Sequence, residues 1–204
     1  MELLDYIKAS VLLEKYGIKS IRSSYVSTPE EAIKFAGEKN IVLKLLSSKA
    51  LHKSKAGLVK VGLFDEKHIR SAFGDLVNKG KELKPYKIVA QEMSFGGIEV
   101  IIGSNIDQQF GKMVLIGLGG IYVESFKDTS LRICPITRQD AQDMVDQLKS
   151  RDVITHGGKS RDMIVGLILK VAKLVQENDI SELDLNPVII RENGYDVVDI
   201  RILK

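Results

Sequence analysis

The spacing of hydrophobic positions predicts a helix at the start of the chain. Residues 3–16 carry apolar side chains at helical spacing, and Gly17 follows in the manner of a helix C-terminal cap. The predicted apolar stripe consists of Leu3, Leu4, Ile7, Val11 and Leu12. We therefore expect residues 1–23 to form an N-terminal helical segment that packs on a domain.

The pattern over residues 24–90 predicts a first α+β lobe with the order strand, helix, strand, strand, helix, strand. Thr28 is placed as an N-cap, Pro29 as the first helical residue and Glu31 as the partner in a capping box. Asp65 opens the second helix of this lobe, and the apolar runs IVLKLL, LVKVGLF and KIVAQEM are the expected strands after the first.

The pattern then restarts, which predicts a second α+β lobe over residues 91–204. Its expected strands are GIEVIIG, KMVLIGL, YVESF and LRICPI, and helices are expected from Thr137 and from Ser160. Gly96 and Gly97 interrupt the pattern directly after a strand, so we interpret residues 91–97 as the hinge between the lobes.

The run ELDLNPVIIRENGYDVVDIRI, residues 182–202, predicts a terminal β-hairpin. Asn193-Gly194 suits a type I′ turn, which would place Asn186 opposite Arg201 and Val188 opposite Asp199. Asp184, Asn186, Asp199 and Arg201 would then share one face, with Asn186 and Asp199 as diagonal neighbours. Such oxygens can hold a hard cation such as Mg²⁺, or they can form a solvated face closed by an ion pair between Asp199 and Arg201 or a lysine.

Composition and charge narrow the class of protein. The 204 residues are 44% hydrophobic, and 30 Lys and Arg against 27 Asp and Glu leave a net charge of only +3. With scattered basic residues and no Trp, neither nucleic acid binding nor base stacking is favoured. The single Cys134 is expected to be a small buried hydrophobe, and the lack of a signal or membrane-spanning pattern favours a cytoplasmic globular protein.

Two features of the first lobe could carry phosphate chemistry. Lys44 interrupts an apolar strand, so it either serves a phosphate oxygen or faces solvent on an amphipathic strand. The loop of residues 47–57 follows, and it contains His52, Lys53, Ser54 and Gly57. Such a loop can hold a phosphate and offer an imidazole nucleophile, or it can be an ordinary solvated loop.

The glycines of LIGLGGIYVE, namely Gly117, Gly119 and Gly120, do not match the dinucleotide fingerprint. They favour close backbone approach by a ligand or by another chain. Glu99 and Glu124, each taken alone, are typical of surface or ion-paired residues.

Taken together and in order, four segments resemble the ATP-grasp β subunit of ADP-forming acyl-CoA (acetyl-CoA) synthetase. They are VLKLLSSKALHKSKAGLV, VAQEMSFGGIEVIIG, FGKMVLIGLGGIYVESFKDTSLRICPIT and the terminal hairpin. The resemblance covers nearly the whole chain, and it implies an ATP-grasp fold of two α+β lobes with the nucleotide site between them.

The resemblance also implies roles for single residues. Lys44 matches the lysine that holds nucleotide phosphates, and Glu99 matches an acidic residue facing the ribose. The backbone of Gln91, Glu92 and Met93 matches the segment that pairs with adenine. Asn186 and Asp199, with Asp184 beside them, match the magnesium ligands. His52 matches a histidine thought to take a phosphoryl group, and Lys53, Ser54 and Gly57 lie in its phosphate-binding loop. Glu124 is our prediction for the place where a partner's phosphohistidine segment enters.

The implied activity is reversible formation of acid, CoA and ATP from acyl-CoA, ADP and phosphate, with ATP or ADP and Mg²⁺ bound by this chain. The implied partner is an α subunit that carries the CoA-binding domain and a phosphohistidine, which predicts a hetero-oligomer. A stand-alone ATP-grasp carboxylate ligase and a non-catalytic nucleotide-binding subunit are the alternatives.

Overall fold

The computed structural model describes residues 2–49, 57–120 and 128–204 and divides the chain into two compact units. The central unit consists of Ile21–Met93, and the terminal unit consists of Met1–Ser20 together with Ser94–Lys204. The division into residues 1–23, 24–90 and 91–204 with a hinge at 91–97 stays a prediction about domains.

The helices are α1 (Tyr6–Lys15), α2 (Pro29–Ala36), α3 (Glu66–Gly80), α4 (Arg138–Asp146), α5 (Arg151–Ile154) and α6 (Arg161–Glu177). The strands are β1 (Ser23–Val26), β2 (Ile41–Ser47), β3 (Val59–Leu63), β4 (Tyr86–Glu92), β5 (Ile98–Asp107), β6 (Gly111–Leu118), β7 (Thr129–Ile133), β8 (Glu182–Arg191), β9 (Gly194–Val197) and β10 (Ile200–Leu203). Within the described ranges, no helix is long and apolar enough to cross a membrane.

The central unit is a four-stranded antiparallel sheet of order β1-β4-β2-β3, with α2 and α3 packed on it. The predicted element order is observed here. Thr28 Oγ1 accepts from the Glu31 N–H at 3.2 Å, and Asp65 Oδ1 accepts from the His68 N–H at 2.8 Å, so both helix starts are capped as expected. The Glu31 carboxylate reaches back one residue further than a capping box requires, to the Ser27 N–H at 2.7 Å.

The core of the central unit lies between the helices and one face of the sheet. Strand β2 contributes its odd-numbered residues to this core, because successive side chains of a strand point to opposite faces. The buried residues are Val26, Ala32, Ala36, Ile41, Leu43, Leu45, Leu58, Leu63, Ile69, Ala72, Phe73, Leu76, Ile88 and Ala90. The other sheet face carries the even-numbered residues of β2.

The terminal unit is built on an antiparallel sheet of order β10-β8-β5-β6-β7, with β9 also paired to β8. Helix α6 packs on β6, and α4 packs on α6 and β7. Thr137 and Asp140 form the capping box that starts α4. Helix α6 turns its apolar stripe inward, and its buried residues are Ile164, Val165, Leu167, Ile168, Val171, Ala172, Leu174 and Val175.

The first helix differs from the prediction. Asp5 caps α1 by accepting from the Ile7 and Lys8 N–H groups, so the helix begins at Tyr6. Leu3 instead forms a β-bridge with Leu203, and Val11 is exposed. The buried face of α1 consists of Tyr6, Ala9 and Leu13. The predicted stripe was wrong because the leading apolar residues pair with the last strand rather than entering the helix.

Candidate functional site

Lys44 lies in the middle of the central unit's sheet, on strand β2. It is opposite Val89 of β4 on one side and opposite Val59 of β3 on the other. The residue is only 5% exposed. The alternative of a solvent-facing lysine is therefore wrong, because the environment of Lys44 is one in which a lysine is seldom found.

Lys44 shares its sheet face with a buried amide. Opposite residues of paired strands lie on the same face, so Val42, Lys44, Val89 and Gln91 occupy the face that does not carry the helix-covered core. Gln91 is fully buried, and its Nε2 donates to Ser23 Oγ at 3.1 Å. This face therefore presents a buried ammonium and a buried carboxamide beside two valines, and it also carries Ser23, opposite Gln91, and Lys87, opposite Leu46.

The segment matched to the adenine contact is firmly held inside the central unit. The Glu92 N–H donates to the Arg22 carbonyl and the Met93 N–H to the Asn40 carbonyl, both at 3.0 Å. Arg22 Nη1 and Lys39 Nζ donate to the Glu92 carboxylate at 2.9 and 3.0 Å, and these bonds lower the pKa of Glu92 below its ordinary value. The N–H groups of Glu92 and Met93 are thus already used within the central unit. Adenine would have to pair with other backbone groups of Gln91–Met93.

The terminal hairpin forms, but its turn and register differ from the prediction. Arg191 pairs with Gly194, so the two-residue loop is Glu192-Asn193 rather than Asn193-Gly194. Neither Asn193 nor Gly194 has the positive φ that a type I′ turn at this pair requires. The observed register places Val188 opposite Val197, both fully buried, and burial of one face is what specifies register in a sheet.

This register changes the arrangement of the predicted metal ligands from diagonal to directly opposite. Val188 pairs with Val197 and Leu185 with Ile200, so the intervening Asn186 falls opposite Asp199. Asp184 pairs with Arg201, whose guanidinium also lies 3.3 Å from Glu182. The predicted pairing of Asn186 with Arg201 was wrong by two residues, a shift that leaves side chains on the same faces.

The hairpin is irregular at this point. Pro187 has no N–H to donate, the β5–β8 register shifts between Val100 and Ile102, and Val198 and Asp199 lie between β9 and β10. Burial of β8 changes from odd-numbered to even-numbered residues across this break. The strict alternation predicted for residues 182–190 therefore does not hold.

The oxygen-bearing side chains around this break are of the type that a hard divalent cation binds. Asp184 and Asp199 are partly buried with their Oδ1 atoms inaccessible to solvent, and Asn186 is exposed. Carboxylate and amide oxygens are the groups that Mg²⁺ selects. In the described part of the chain, no group of three or more His, Cys, Asp or Glu side chains forms a metal site. Phosphate oxygens and water would therefore have to complete the coordination.

Glu99 lies on β5 beside the glycine-rich segment. Its carbonyl accepts from the Gly119 N–H at 2.7 Å, and a methyl group at Gly119 would lie 2.9 Å from that same oxygen. A methyl group at Gly120 would lie 2.9 Å from the exposed Glu99 carboxylate. The close approach that Gly119 and Gly120 permit is made by the chain's own β5, and approach by a ligand or another chain stays a prediction.

Several predicted residues cannot be placed in this geometry. His52, Lys53 and Ser54 lie outside the described residues, and so do Glu124 and the predicted strand YVESF. Gly57 is described; it has a φ of 64°, and its carbonyl accepts from Lys79 Nζ at 3.1 Å. The roles of His52, Lys53, Ser54 and Glu124 stay predictions.

Two polar groups that sequence reasoning missed anchor segments near these residues. Ser94, directly after Met93, is bonded to Arg191 and Asp196 of the hairpin. Asp128 accepts from the Lys149 and Ser150 N–H groups, both at 2.8 Å. Neither group of bonded residues could be recognised from the sequence, because its members lie far apart along the chain.

Comparison with known proteins decides the family. A family model described as an ATP-grasp domain matches residues 1–203. This chain belongs to the ATP-grasp domain family. The predicted fold and the predicted resemblance to ADP-forming acetyl-CoA synthetase β subunits are confirmed.

Relatives of this ATP-grasp chain include both separate subunits and longer proteins. It is 34% identical to the acetate–CoA ligase (ADP-forming) I subunit beta of Pyrococcus furiosus, over 96% of this chain and 89% of that protein. It is 36% identical to the acetate–CoA ligase (ADP-forming) II of Archaeoglobus fulgidus, over 100% of this chain but only 30% of that protein. The chain thus spans less than a third of the latter protein's length.

A solved structure resembles the ATP-grasp chain in three dimensions. Acetyl-coenzyme A synthetase 1 of Ca. Korarchaeum cryptofilum, in complex with coenzyme A and Mg-AMPPCP, superimposes with a TM-score of 0.83 at 35% identity. The match covers 98% of this chain and 92% of that one. That structure is described as having its phosphohistidine segment pointing towards the nucleotide binding site.

Proposed function

We propose that this ATP-grasp chain is the nucleotide-binding β subunit of a heteromeric ADP-forming acyl-CoA synthetase. The observation that carries the proposal is the near full-length match to a Pyrococcus furiosus beta subunit, combined with a buried Lys44 and an oxygen-rich break in the terminal hairpin. The reaction converts acyl-CoA, ADP and phosphate into acid, CoA and ATP, and it is reversible.

Each unit contributes a different kind of group to nucleotide binding. In the central unit, the Lys44 ammonium lies in a water-poor environment, where attraction to a phosphate oxygen is stronger than in bulk water. In the terminal unit, Asp184, Asn186 and Asp199 would hold Mg²⁺, which when bound neutralises phosphate charge during phosphoryl transfer. Glu99 would meet the ribose, and the Gln91–Met93 backbone would meet adenine.

A partner chain supplies the rest of the reaction. The Archaeoglobus fulgidus relative is more than three times the length matched by this chain, whereas the Pyrococcus furiosus relative is named as a separate subunit. We infer that an α subunit with the CoA-binding domain and a phosphohistidine binds this chain in the cytoplasm. His52 would accept the phosphoryl group from that histidine and pass it to ADP, and Glu124 would lie where the partner segment enters.

Calorimetric titration of the purified chain with Mg-ADP tests the nucleotide site directly. We expect saturable binding that depends on Mg²⁺, since carboxylates bind the nucleotide only through the cation. Absence of heat at millimolar Mg-ADP, with a folded chain, would contradict the proposal.

The phosphoryl relay is tested separately with the assembled enzyme. The His52→Ala chain, combined with its copurified α subunit, should lose acyl-CoA-dependent ATP formation while it retains Mg-ADP binding. Unchanged turnover would favour a direct ATP-grasp ligase. His68→Ala is the matched control, because His68 is an exposed residue whose ring contacts Asp65 at the start of α3.

A further inference from the structure

A second lysine lies beside Lys44 on the same face of the central unit's sheet. Val89 of β4 is paired with Tyr25 of β1 on one side and with Lys44 of β2 on the other, and Lys87 lies opposite Leu46. Tyr25, Lys44 and Lys87 therefore share one face. Lys44 and Lys87 are diagonal neighbours on adjacent strands, a relation that places Cα atoms roughly 7 to 8 Å apart.

Tyr25 holds the side chain of Lys87. The Lys87 Nζ atom lies 4.4 Å from the centre of the Tyr25 ring, and the face of an aromatic ring attracts a cation. Tyr25 is half-buried, whereas Lys87 is exposed. The ring thus restrains a long side chain that would otherwise be flexible, and this reduces the entropy that Lys87 loses when it binds a ligand.

The position of Lys87 along β4 suits a phosphate. The strand carries Lys87 near one end and Gln91 near the other, and Lys44 lies opposite Val89 between them. At the usual rise of a strand, Lys87 and Gln91 are roughly 13 Å apart. This distance is comparable with the length of an extended nucleoside diphosphate. A nucleotide whose base meets Gln91–Met93 and whose phosphate meets Lys44 would therefore extend towards Lys87.

The two lysines differ in burial, and this predicts different contributions to binding. Lys44 is 5% exposed, so its attraction to a phosphate is weakly screened by water and salt. Lys87 is exposed, so its attraction is smaller and depends on salt. Because like charges on one face repel each other, the pair favours an anion with several negative charges that can lie along both lysines.

We propose that Lys87 is a second phosphate-binding residue, which contacts the distal phosphate of the nucleotide, and that Tyr25 is the positioning residue that holds it. This inference rests on the proposed nucleotide site. It adds two residues to that site, and all the contacts that carry it lie within the central unit.

Comparing ligands with one and two phosphates tests the role of Lys87. In Lys87→Met we expect the Kd for Mg-ADP to rise roughly fivefold, as for the loss of an exposed charge pair. The Kd for AMP, which lacks the distal phosphate, should change less than about twofold. Lys60→Met is the matched control, because Lys60 lies opposite Leu43 on the helix-covered face and pairs with Asp75 at 3.1 Å. Both Kd values should stay unchanged in the control.

Salt dependence provides a measurement that a structural role of Lys87 would not change. Increasing the potassium chloride concentration should weaken Mg-ADP binding more steeply in the wild type than in Lys87→Met, because an exposed charge is screened by salt. Lys87→Arg should keep the wild-type affinity and salt dependence, since arginine retains the charge and also stacks on aromatic rings. An unchanged salt dependence in Lys87→Met would contradict a contact between Lys87 and phosphate.

Two substitutions of Tyr25 test its positioning role. Tyr25→Leu should weaken Mg-ADP binding roughly twofold to threefold, because the ring that restrains Lys87 is lost. Tyr25→Phe keeps the face of the ring and should bind Mg-ADP like the wild type. Equal weakening in both variants would show that the ring face does not hold Lys87 for binding.

The outcomes distinguish this inference from the proposed function. A wild-type chain that fails to bind Mg-ADP overturns the nucleotide site itself, and the inference with it. A wild-type chain that binds Mg-ADP, with Lys87→Met equal to Lys60→Met, overturns the role of Lys87 alone. Equal weakening of AMP and Mg-ADP in Lys87→Met shows general structural damage and also overturns that role.

Discussion

Two regions of the chain bury charged side chains, one within a regular β-strand and the other where a β-ladder is interrupted. Lys44 lies within a regular strand whose neighbours on both sides continue the ladder, and it is 5% exposed. Asp184 and Asp199 lie around a break in the ladder, where Pro187 lacks a donor and Val198 and Asp199 belong to no strand.

This difference explains why the sequence predicts the arrangement of one region better than that of the other. In a regular strand, successive side chains point to opposite faces of the sheet. A single lysine in an apolar run can therefore be recognised from the sequence as a cation within a buried sheet. Where the ladder is interrupted, the order in which side chains point to the two faces changes. Only the observed strand register then shows which oxygen-bearing side chains lie opposite one another. Substitutions at Lys44 and Asp199 probe these two regions and should have the largest effects, whereas substitutions at Gly119 and Asp128 probe other parts of the terminal unit and should have smaller ones.

Replacing Lys44 with Met should have the largest effect on nucleotide affinity. We expect Mg-ADP binding to weaken roughly 100-fold, because under the proposed function the buried ammonium would meet a nucleotide phosphate, and Met keeps most of the side-chain volume without the charge. Calorimetry measures the change. Lys60→Met is the matched control, since Lys60 lies on neighbouring β3 and pairs with Asp75 at 3.1 Å. Equal losses in both variants would remove the distinction between Lys44 and an ordinary surface lysine.

Replacing Asp199 with Asn should act through the cation rather than through the nucleotide. The Mg²⁺ concentration that gives half-maximal ADP binding should rise roughly thirtyfold, or about 2 kcal/mol. A Mg²⁺ titration at fixed ADP measures it. Glu182→Gln on the same hairpin is the control, because Glu182 is paired with Arg201. A Mg²⁺ midpoint equal to that of the wild type would show that the ladder break binds no ion.

Replacing Gly119 with Ala should disturb the sheet of the terminal unit without changing any charge. The added methyl group would lie 2.8 Å from the Glu99 carbonyl carbon, so we expect a loss of about 1.5 kcal/mol in the free energy of unfolding. Urea unfolding measures this. Gly166→Ala in α6 meets nothing within 4 Å and should instead be stabilising, since alanine favours helix. A neutral Gly119→Ala would show that β5 and the glycine segment can separate freely.

Replacing Asp128 with Asn should have the smallest effect, and it should depend on pH. Burial raises the pKa of Asp128, but hydrogen bonds from Ser150 and Lys149 outweigh it and lower the folded-state pKa below 3.8. A lowered carboxyl pKa stabilises the fold above the unfolded-state pKa, and that stability disappears as pH falls through the folded-state pKa. We expect a loss of ~1 kcal/mol at pH 7.

Urea unfolding across the acid range checks the pH dependence. The difference between wild type and Asp128→Asn should shrink as pH falls below about 4, where the unfolded carboxyl begins to bind its proton. Asp152→Asn is a suitable control, because the Asp152 side chain is 86% exposed and should matter little at either pH. A difference that is constant with pH would mean that the Asp128 charge does not contribute.

Much of the fold followed from local chemistry. The caps at Thr28, Asp65 and Thr137 and the element order of the central unit were predictable because each depends on residues within a few positions of one another. The start of α1 and the hairpin turn were not. Leu3 pairs with Leu203, and the turn moved to Glu192-Asn193 because pairing Val188 with Val197 outweighed the local preference of Asn193-Gly194.

The candidate site divides in the same way. The amino-acid sequence alone singled out Lys44 and the acids of the terminal hairpin as candidates for a Mg-nucleotide site, and the family resemblance gave them roles that stay predictions. Tertiary structure alone decided that Asn186 falls opposite Asp199, that β5 fills the space beside Gly119, and that Ser94 is held by Arg191 and Asp196. The physical reason is that register and long-range hydrogen bonds are set by the burial of whole sheet faces, which no local preference records.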